Sequence, residues 1–493
     1  MSSYMCHTWM SACNMIKKGA FVALTLAIVS LPGCGGSGSS TLPGNTSVTV
    51  LATNTANAEV SQNAMILDRL TLINSSGNTI NLLESPLSLE FVHLNGTAEP
   101  ILTANIPDDT YTLASASFGP SSFDCLSLDP SDGNIDFQWY GGTSIPDSGV
   151  TIQLPAPITV NGDRVVLDLN LMASKSSWAD GCNANALPMM TLFTLQPLAI
   201  AKAPDNDGNG KLSALMGVIA SANLTSIDVH STEGAETLDG TPTNPFGPDW
   251  EIDVNSNTSF QGVAGPSQLT AGMPVEVDAA IQADGSLVAS RIQVYDTNTI
   301  NLSLWNGPII KVGNSTAAAT VLPRTATGPD VGGDVVSVGG AAFTISSELS
   351  NLNQLPFTPS FTASTMVAGQ NVAVTMHDTS LPLYPSYPVG ATFTLTPQTI
   401  NGTVVGISTE GNFKVYTVSL ASYDLFPAFA VQSDQTTRLT DPGTVIVYAD
   451  SSTANRTTQA VTAGSVVRFY GLVFDDNGTL RMDCSQISDG VSP

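Results

Sequence analysis

Between Arg164 and Met172 apolar and polar side chains alternate, with Val165, Leu167, Leu169 and Leu171 in one phase and Asp168 and Asn170 in the other. Only an extended strand gathers alternate residues on one face; a helix would scatter the same pattern around its circumference. The alternation recurs through most of the 493 residues, punctuated by 42 Gly and 30 Pro that favour short strands and tight turns over long helices. Charged residues make up 11% of the chain, under half the usual ~25%, which argues against coiled coils and charge-rich disorder. The 15 Lys and Arg stand against 41 Asp and Glu, a formal net charge of -26, and so few cations cannot neutralise a run of phosphates. The chain therefore reads as all-β and not as a nucleic-acid binder.

Two hairpins are expected near the start of this pattern. Residues 66–73 and 79–83 flank Ser75-Ser76-Gly77-Asn78, and residues 158–160 and 164–172 flank Asn161-Gly162. Asn-Gly is the stronger signal, because both residues accept the positive φ of a type I′ turn. Residues 46–204 are accordingly expected to form a β-sandwich.

Ahead of it, Lys17 and Lys18 precede the apolar run AFVALTLAIVSL, and LPGC ends at Cys34. Twelve helical residues span about 18 Å, too little for a ~30 Å hydrocarbon core, so the run reads as a signal h-region. LPGC resembles a bacterial lipobox, with Pro32 where a small or β-branched residue is usual. That resemblance implies cleavage before Cys34, a signal peptide over 1–33 with a true start expected at Met15, and lipid on the Cys34 thiol. Residues 34–45, rich in Gly and Ser, form a flexible tether reaching roughly 18 Å. The partner implied is a membrane, through two or three acyl chains. Gly35, by the sorting rule of enteric bacteria, points to the outer membrane of the cell envelope.

Past residue 212 the chain repeats itself. Gly217-Val218-Ile219, Gly307-Pro308-Ile309 and Gly402-Thr403-Val404 open three segments, and GMPVEV, GQNVAV and GSVVRF follow from Gly272, Gly369 and Gly464. Both landmarks recur every 90 to 97 residues. A unit of that length with five or six short strands can close a small OB-like barrel. Three such barrels are expected, over 213–298, 299–398 and 399–493. The first and third copies end in a DG or NG hairpin; the middle copy carries the Pro-rich stretch 381–389 instead, and reads as degenerate.

Leu70 to Phe118, with LLESPLSLEFVHL and IPDDTYTLASASF, resembles a family of domains of unknown function at the lipidated end of bacterial envelope lipoproteins, Asp109 standing at that family's glycine. The repeats resemble a second such family, small barrels found in tandem behind the first. Neither resemblance brings a catalytic residue.

Motifs for chemistry are sparse. His93, His230 and His377 lie far apart, and HExxH, GxSxG and the P-loop are all missing. Strand parity turns His230 and His377 outward and makes His93 a strand-end residue. Asp205, Asp207 and Asn209, with Gly210 and Leu212, match the first half of a calcium loop of the EF-hand kind, whereas Met216 stands where the bidentate carboxylate belongs. The stretch 205–212 is thus a linker and a calcium candidate at once, calcium being the one cofactor the sequence suggests. Cys125 and Cys182, in loop-like contexts, are a disulfide candidate whose closure would contribute roughly 4 kcal/mol; two reduced buried thiols are the alternative. Cys484, in phase with Leu480 and Met482, reads as a buried thiol. Trp139 and Tyr140 are the candidate platform for stacking a sugar, with a core role as the alternative.

These readings converge on a lipid-anchored, non-catalytic binding or structural protein of the cell envelope, for a glycan, a peptide or another envelope protein. The competing expectation is a secreted hydrolase with an unrecognised site.

Overall fold

Gly217, Gly307 and Gly402 sit where a side chain has no room. A Cβ at Gly217 would lie 2.5 Å from the His230 carbonyl oxygen, at Gly307 1.9 Å from that of Leu322, and at Gly402 2.6 Å from that of Ser419. Each glycine lets a long first strand pass against the backbone of the strand that follows. The structure, a computed structural model, describes residues 45–491 apart from 56–59, 84, 129–134, 145–149, 163, 174–192, 199–209, 232–248, 283, 296–301, 314–317, 323, 328–334, 347–351, 378–391, 423 and 431–437. It is all-β, with small barrels built on these glycines.

The three units share one strand plan. The first strands are Lys211–Ala222, Leu302–Val312 and Gln398–Glu410; the second are Ser226–Ser231, Ala318–Val321 and Phe413–Leu420. Third strands begin at Asp249–Asp253, Val335–Ser337 and Thr444–Arg456, the first two continuing as Ser259–Gln261 and Ala342–Ile345. Fourth strands are Pro274–Ile281, Asn371–His377 and Val466–Asp476, and fifth strands Leu287–Val294, Thr392–Leu395 and Thr479–Asp489. In each unit the first strand lies antiparallel between the second and the fourth, the fourth pairs antiparallel with the fifth, and the third meets the fifth in parallel. The third unit is a closed barrel in the order one, two, three, five, four. In the second unit the third strand breaks at the Gly339-Gly340 turn, and its halves pair with different neighbours.

Equivalence holds residue by residue. Gly217 pairs Val275, Gly307 pairs Val372 and Gly402 pairs Val467, always the third residue after the turn glycine. Those turn glycines have φ of +88°, +99° and +90°, a region where a Cβ is strained. Each donates its N–H to the third residue of the opening motif: Gly272 to Ile219 at 2.8 Å, Gly369 to Ile309 at 2.7 Å, Gly464 to Val404 at 2.8 Å. The same three residues donate back to Met273, Gln370 and Ser465. The register then slips, past Ile219, Ile309 and Val404, in a bulge common to all three first strands.

N-terminal to the units, two sheets enclose one core. One holds Phe193–Pro197, Val165–Leu171, Asn45–Asn54 and Glu99–Pro107 in that order; the other is organised on the long pair Val60–Asn74 and Asp109–Leu128. Leu167, Leu169 and Leu171 are fully buried with Leu67, Phe118 and Phe193, as their phase requires. Asp168 is also buried, because the opposite face of this sheet, through Val166 and Leu51, packs on the core of the first unit.

Two expectations need correction. The Asn161-Gly162 turn forms, with Gly162 at φ +91°, but it joins no hairpin. Ile158–Val160 pairs with Asp109–Leu128 in one sheet, and Val165–Leu171 runs parallel to Asn45–Asn54 in the other. The hydroxyl of Thr46 accepts from Gly162 N–H at 2.8 Å, holding the turn at the corner between sheets. Cys125 lies in a strand, not a loop, opposite Gln138 of Ile135–Ser144. The middle unit keeps its fifth strand, Thr392–Leu395, in register with the fourth; the Pro-rich stretch 381–389 lies outside the described residues.

The units do not trail as separate beads. Leu472 and Phe474 of the third complete the core of the second, while Met216, Tyr295 and Ala373 join the first to the second. Arg468 and Gln486 of the third donate to Asn54, Asn95 and Gly96 of the N-terminal part, closing the four parts into a ring.

Gly402→Ala, whose Cβ would meet backbone on a strand that cannot retreat, is expected to cost about 1–3 kcal/mol. Gly265→Ala, on extended backbone with nothing within 4 Å of the new methyl, is expected to stay within about 0.5 kcal/mol of wild type. Urea unfolding of both variants checks the contrast.

Candidate functional site

The repeat dictates which residues face the middle of the ring. Counting from each turn glycine, positions three and five carry the barrel core: Val275 and Val277, Val372 and Val374, Val467 and Phe469. Positions four and six, on the opposite face by strand parity, are Glu276 and Asp278, Ala373 and Thr375, Arg468 and Tyr470. The same outer face has therefore diverged into an acidic, a hydroxyl-bearing and a basic-aromatic version. Five of these six residues line a cleft of about 450 Å³, which side chains of the N-terminal part also reach. Arg468 instead makes the contacts to Asn54 and Asn95 that close the ring.

The first unit contributes a charged wall. Across strands four and five, Glu276 faces Gln293 and Asp278 faces Arg291. The Arg291 guanidinium donates from Nε to Asp278 at 2.6 Å, from Nη1 to Gln293 at 2.9 Å, and from Nη2 to Glu276. Glu276 also accepts from the Tyr295 hydroxyl at 2.6 Å. Asp278, Gln293 and Glu276 are thereby fixed by a fork whose donors are planar and pre-aimed. Burial opposes the Arg291 charge, but Asp278 and Glu276 outweigh it and hold the guanidinium above its usual range. Burial, then Glu276, pushes the Tyr295 phenol up.

The second unit supplies hydroxyls. Thr392 and Thr394 on its fifth strand face Thr375 and Ala373 on its fourth, and Thr344 lies beside Thr394 with their hydroxyl oxygens 2.9 Å apart. The third unit adds Tyr470.

The N-terminal part adds a histidine held as a cation. Leu87–Glu90 ends before His93, so strand parity does not reach it; His93 lies in the turn that follows. Its Nδ1 is 3.0 Å from Glu90 Oε2 and its Nε2 is 3.6 Å from Glu99 Oε2. Burial opposes the charge, yet Glu99 and Glu90 outweigh it and raise the imidazole to about 10. Glu90, itself buried, accepts backbone N–H groups of Asn63, Val92 and His93. Behind His93, a cavity of about 60 Å³ meets Arg324 of the second unit and Asp424 of the third. Arg324 acts electrostatically on both Glu90 and Asp424, and burial raises the Asp424 carboxyl to about 7.

Of the residues singled out from sequence, His93 is the one that the described lining of this cleft includes. Trp139 and Tyr140 are on Ile135–Ser144, opposite Asp124 and Phe123, with side chains outside the described residues. Cys34, Cys182, Asp205, Asp207 and Asn209 also fall outside them, and the lipid, disulfide and calcium expectations lie there with them. Lys211 onwards, the second half of the calcium-loop frame, is strand, with Met216 buried. Among the described residues no three His, Cys, Asp or Glu side chains cluster in a way that could hold a metal. His230 pairs with Asp249, both partly exposed; His377 ends a fourth strand, with its side chain outside the described residues. Cys484 is a buried thiol in the third core, donating to the Gln486 carbonyl at 3.2 Å, and burial pushes it up. The signal that could have found the cleft was in the sequence: the polar phase at positions four and six after the repeated glycine.

Residues 216–293 match a domain of unknown function, DUF5666. The match begins within the first strand of the first unit and ends at Gln293 on its fifth, so it takes in Glu276, Asp278 and Arg291. The likeness expected of all three repeats is thus found for the first. No curated protein matches the chain.

Four groups make stability depend on pH in the same sense. His93 is raised from 6.5 to about 10, so its contribution is whole below pH 6.5 and lost as pH climbs to 10. Burial raises Asp168 and Asp424 to about 7 and Asp483 to about 6, so their contributions are lost between the ordinary carboxylate range and those values. Glu90, lowered despite its burial by His93 and Arg324, acts only at acid pH. The urea midpoint is expected to fall steadily from pH 5.5 to 9.5, and His93→Gln to flatten the part above pH 7. A midpoint that rises with pH contradicts the assignment.

Proposed function

We propose that this chain is a non-catalytic binding protein of the bacterial cell envelope, lipid-anchored at Cys34, with the central cleft as its ligand site. The N-terminal body reads as a β-sandwich that presents the His93 turn, and the tether after Cys34 sets the ring off the outer membrane. The observation that carries this reading is convergence: all four parts of the fold direct side chains into one polar cleft of a size usual for small-ligand sites, ~300–1,000 Å³. A site assembled from four parts needs the whole ring closed, which gives the tandem units a reason to pack as they do.

The charge state supports binding over turnover. General acid–base catalysis works best with a group that exchanges its proton near the working pH. His93 is held far above it with both nitrogens beside carboxylates, and Glu276 and Asp278 are engaged by Arg291. The hydrolase reading draws on one observation, that His93, Glu276 and Asp278 share this cleft with threonine hydroxyls.

Palmitate labelling of cells producing the full chain is expected to mark the wild type and not Cys34→Ser; equal labelling removes the anchor. For the site, a low-molecular-weight fraction of bacterial envelope added to the full chain in detergent is expected to slow hydrogen exchange at residues 274–281 and 392–395. The mass spectrum of the fraction should stay unchanged. Appearance of new products transfers the site to the hydrolase reading, and unchanged exchange removes the cleft as a ligand site.

A further inference from the structure

We infer that the cleft takes a neutral, hydroxyl-rich ligand, a short uncharged oligosaccharide. The inference rests on the binding reading above and adds the ligand's chemical class. A sugar hydroxyl is donor and acceptor at once, so a site that holds several of them must offer both functions side by side. A phosphate site offers donors alone, and a site for an ammonium group offers acceptors alone.

This cleft mixes the two. Glu99, Glu276 and Asp278 are acceptors and Arg291 and His93 donors, engaged with one another or with neighbouring groups. Between them stand groups that do either, such as Gln293, Asn371, Thr375, Thr392 and Thr394. Its one guanidinium among the described lining residues is already engaged at Nε, Nη1 and Nη2, so it is not presented to an anion. The carboxylates would repel one, as would the net charge of -26. A cation finds no better match, because Glu276 is held by Arg291 and Tyr295, and Glu99 is beside the cationic His93. What is left for recognition is hydrogen bonding without net charge, which neutral hydroxyls satisfy.

The apolar contribution fits the same class. Ala342 and Ala373 stand among the threonines, and Tyr295 and Tyr470 line the same cleft. The C–H faces of a sugar ring can lie against surfaces of that kind while its hydroxyls meet the polar rows.

The test uses the full-length chain in detergent micelles against an array of uncharged oligosaccharides, with trigalacturonate as the anionic arm and trilysine as the cationic arm. Thr344→Val and Thr394→Val together remove two hydroxyls with little change of shape, and Glu276→Gln removes a charge while keeping an acceptor. An uncharged oligosaccharide is expected to bind, and the double threonine variant to weaken it at least tenfold, about 1.4 kcal/mol. Its urea midpoint should match that of wild type. Trigalacturonate or trilysine binding that alone responds to these variants overturns the ligand class while leaving the cleft a binding site. Uncharged binding indifferent to both variants, or no binding on the array, also overturns the inference; protection by the envelope fraction would then still uphold the binding reading.

Discussion

The ring depends on a pair of backbone hydrogen bonds made three times over. At Ile219, Ile309 and Val404 the first strand exchanges N–H and C=O groups with the turn that opens the fourth strand, two residues past a glycine that admits the second strand's backbone. With a side chain at that glycine the first strand would have to lift off either neighbour, and a small barrel has no spare width to absorb the shift. The bulge that follows bends the strand round the barrel, while the pairing of the glycine with the third residue after the turn sets which residues of strand four turn outward. One close backbone approach thus fixes the register of each unit's first and fourth strands and the phase of its outer face.

Those outer faces can be polar because they meet one another and not bulk apolar surface. Charges brought together in such a place are costly unless each is paired. Removing one partner of a buried pair costs roughly 3–5 kcal/mol, since the other is left without water or counter-charge. Arg291 answers two carboxylates and His93 two more, and the Arg324 guanidinium lies within electrostatic range of Glu90 and Asp424. These three cations stand where carboxylates would otherwise repel one another.

Much of the architecture was legible. Leu167, Leu169 and Leu171 are in the core because alternation leaves no other choice, and the three glycine landmarks keep register because each marks a steric necessity. Tertiary pairing went unread. Asn161-Gly162 has the chemistry of a hairpin turn, but a turn fixes only the reversal of the chain, and the flanking strands found better partners in separate sheets. Ser and Asp around Cys125 suggested a loop, until a strand on each side supplied the hydrogen bonds that a ladder needs. Asp168 is in the polar phase of its strand and yet buried, and nothing local reveals that the first unit covers its face.

By itself the sequence determined that this is a β protein, where its repeats begin, and which phase of each strand is apolar. These are local matters of side-chain period and of glycine where a Cβ cannot fit. Only the tertiary structure decided that Glu276, Thr394, Tyr470 and His93 share one cleft, since they lie up to hundreds of residues apart and no local preference connects them. Their meeting follows from the ring, and the ring from long-range contacts whose energy appears only when all four parts are folded.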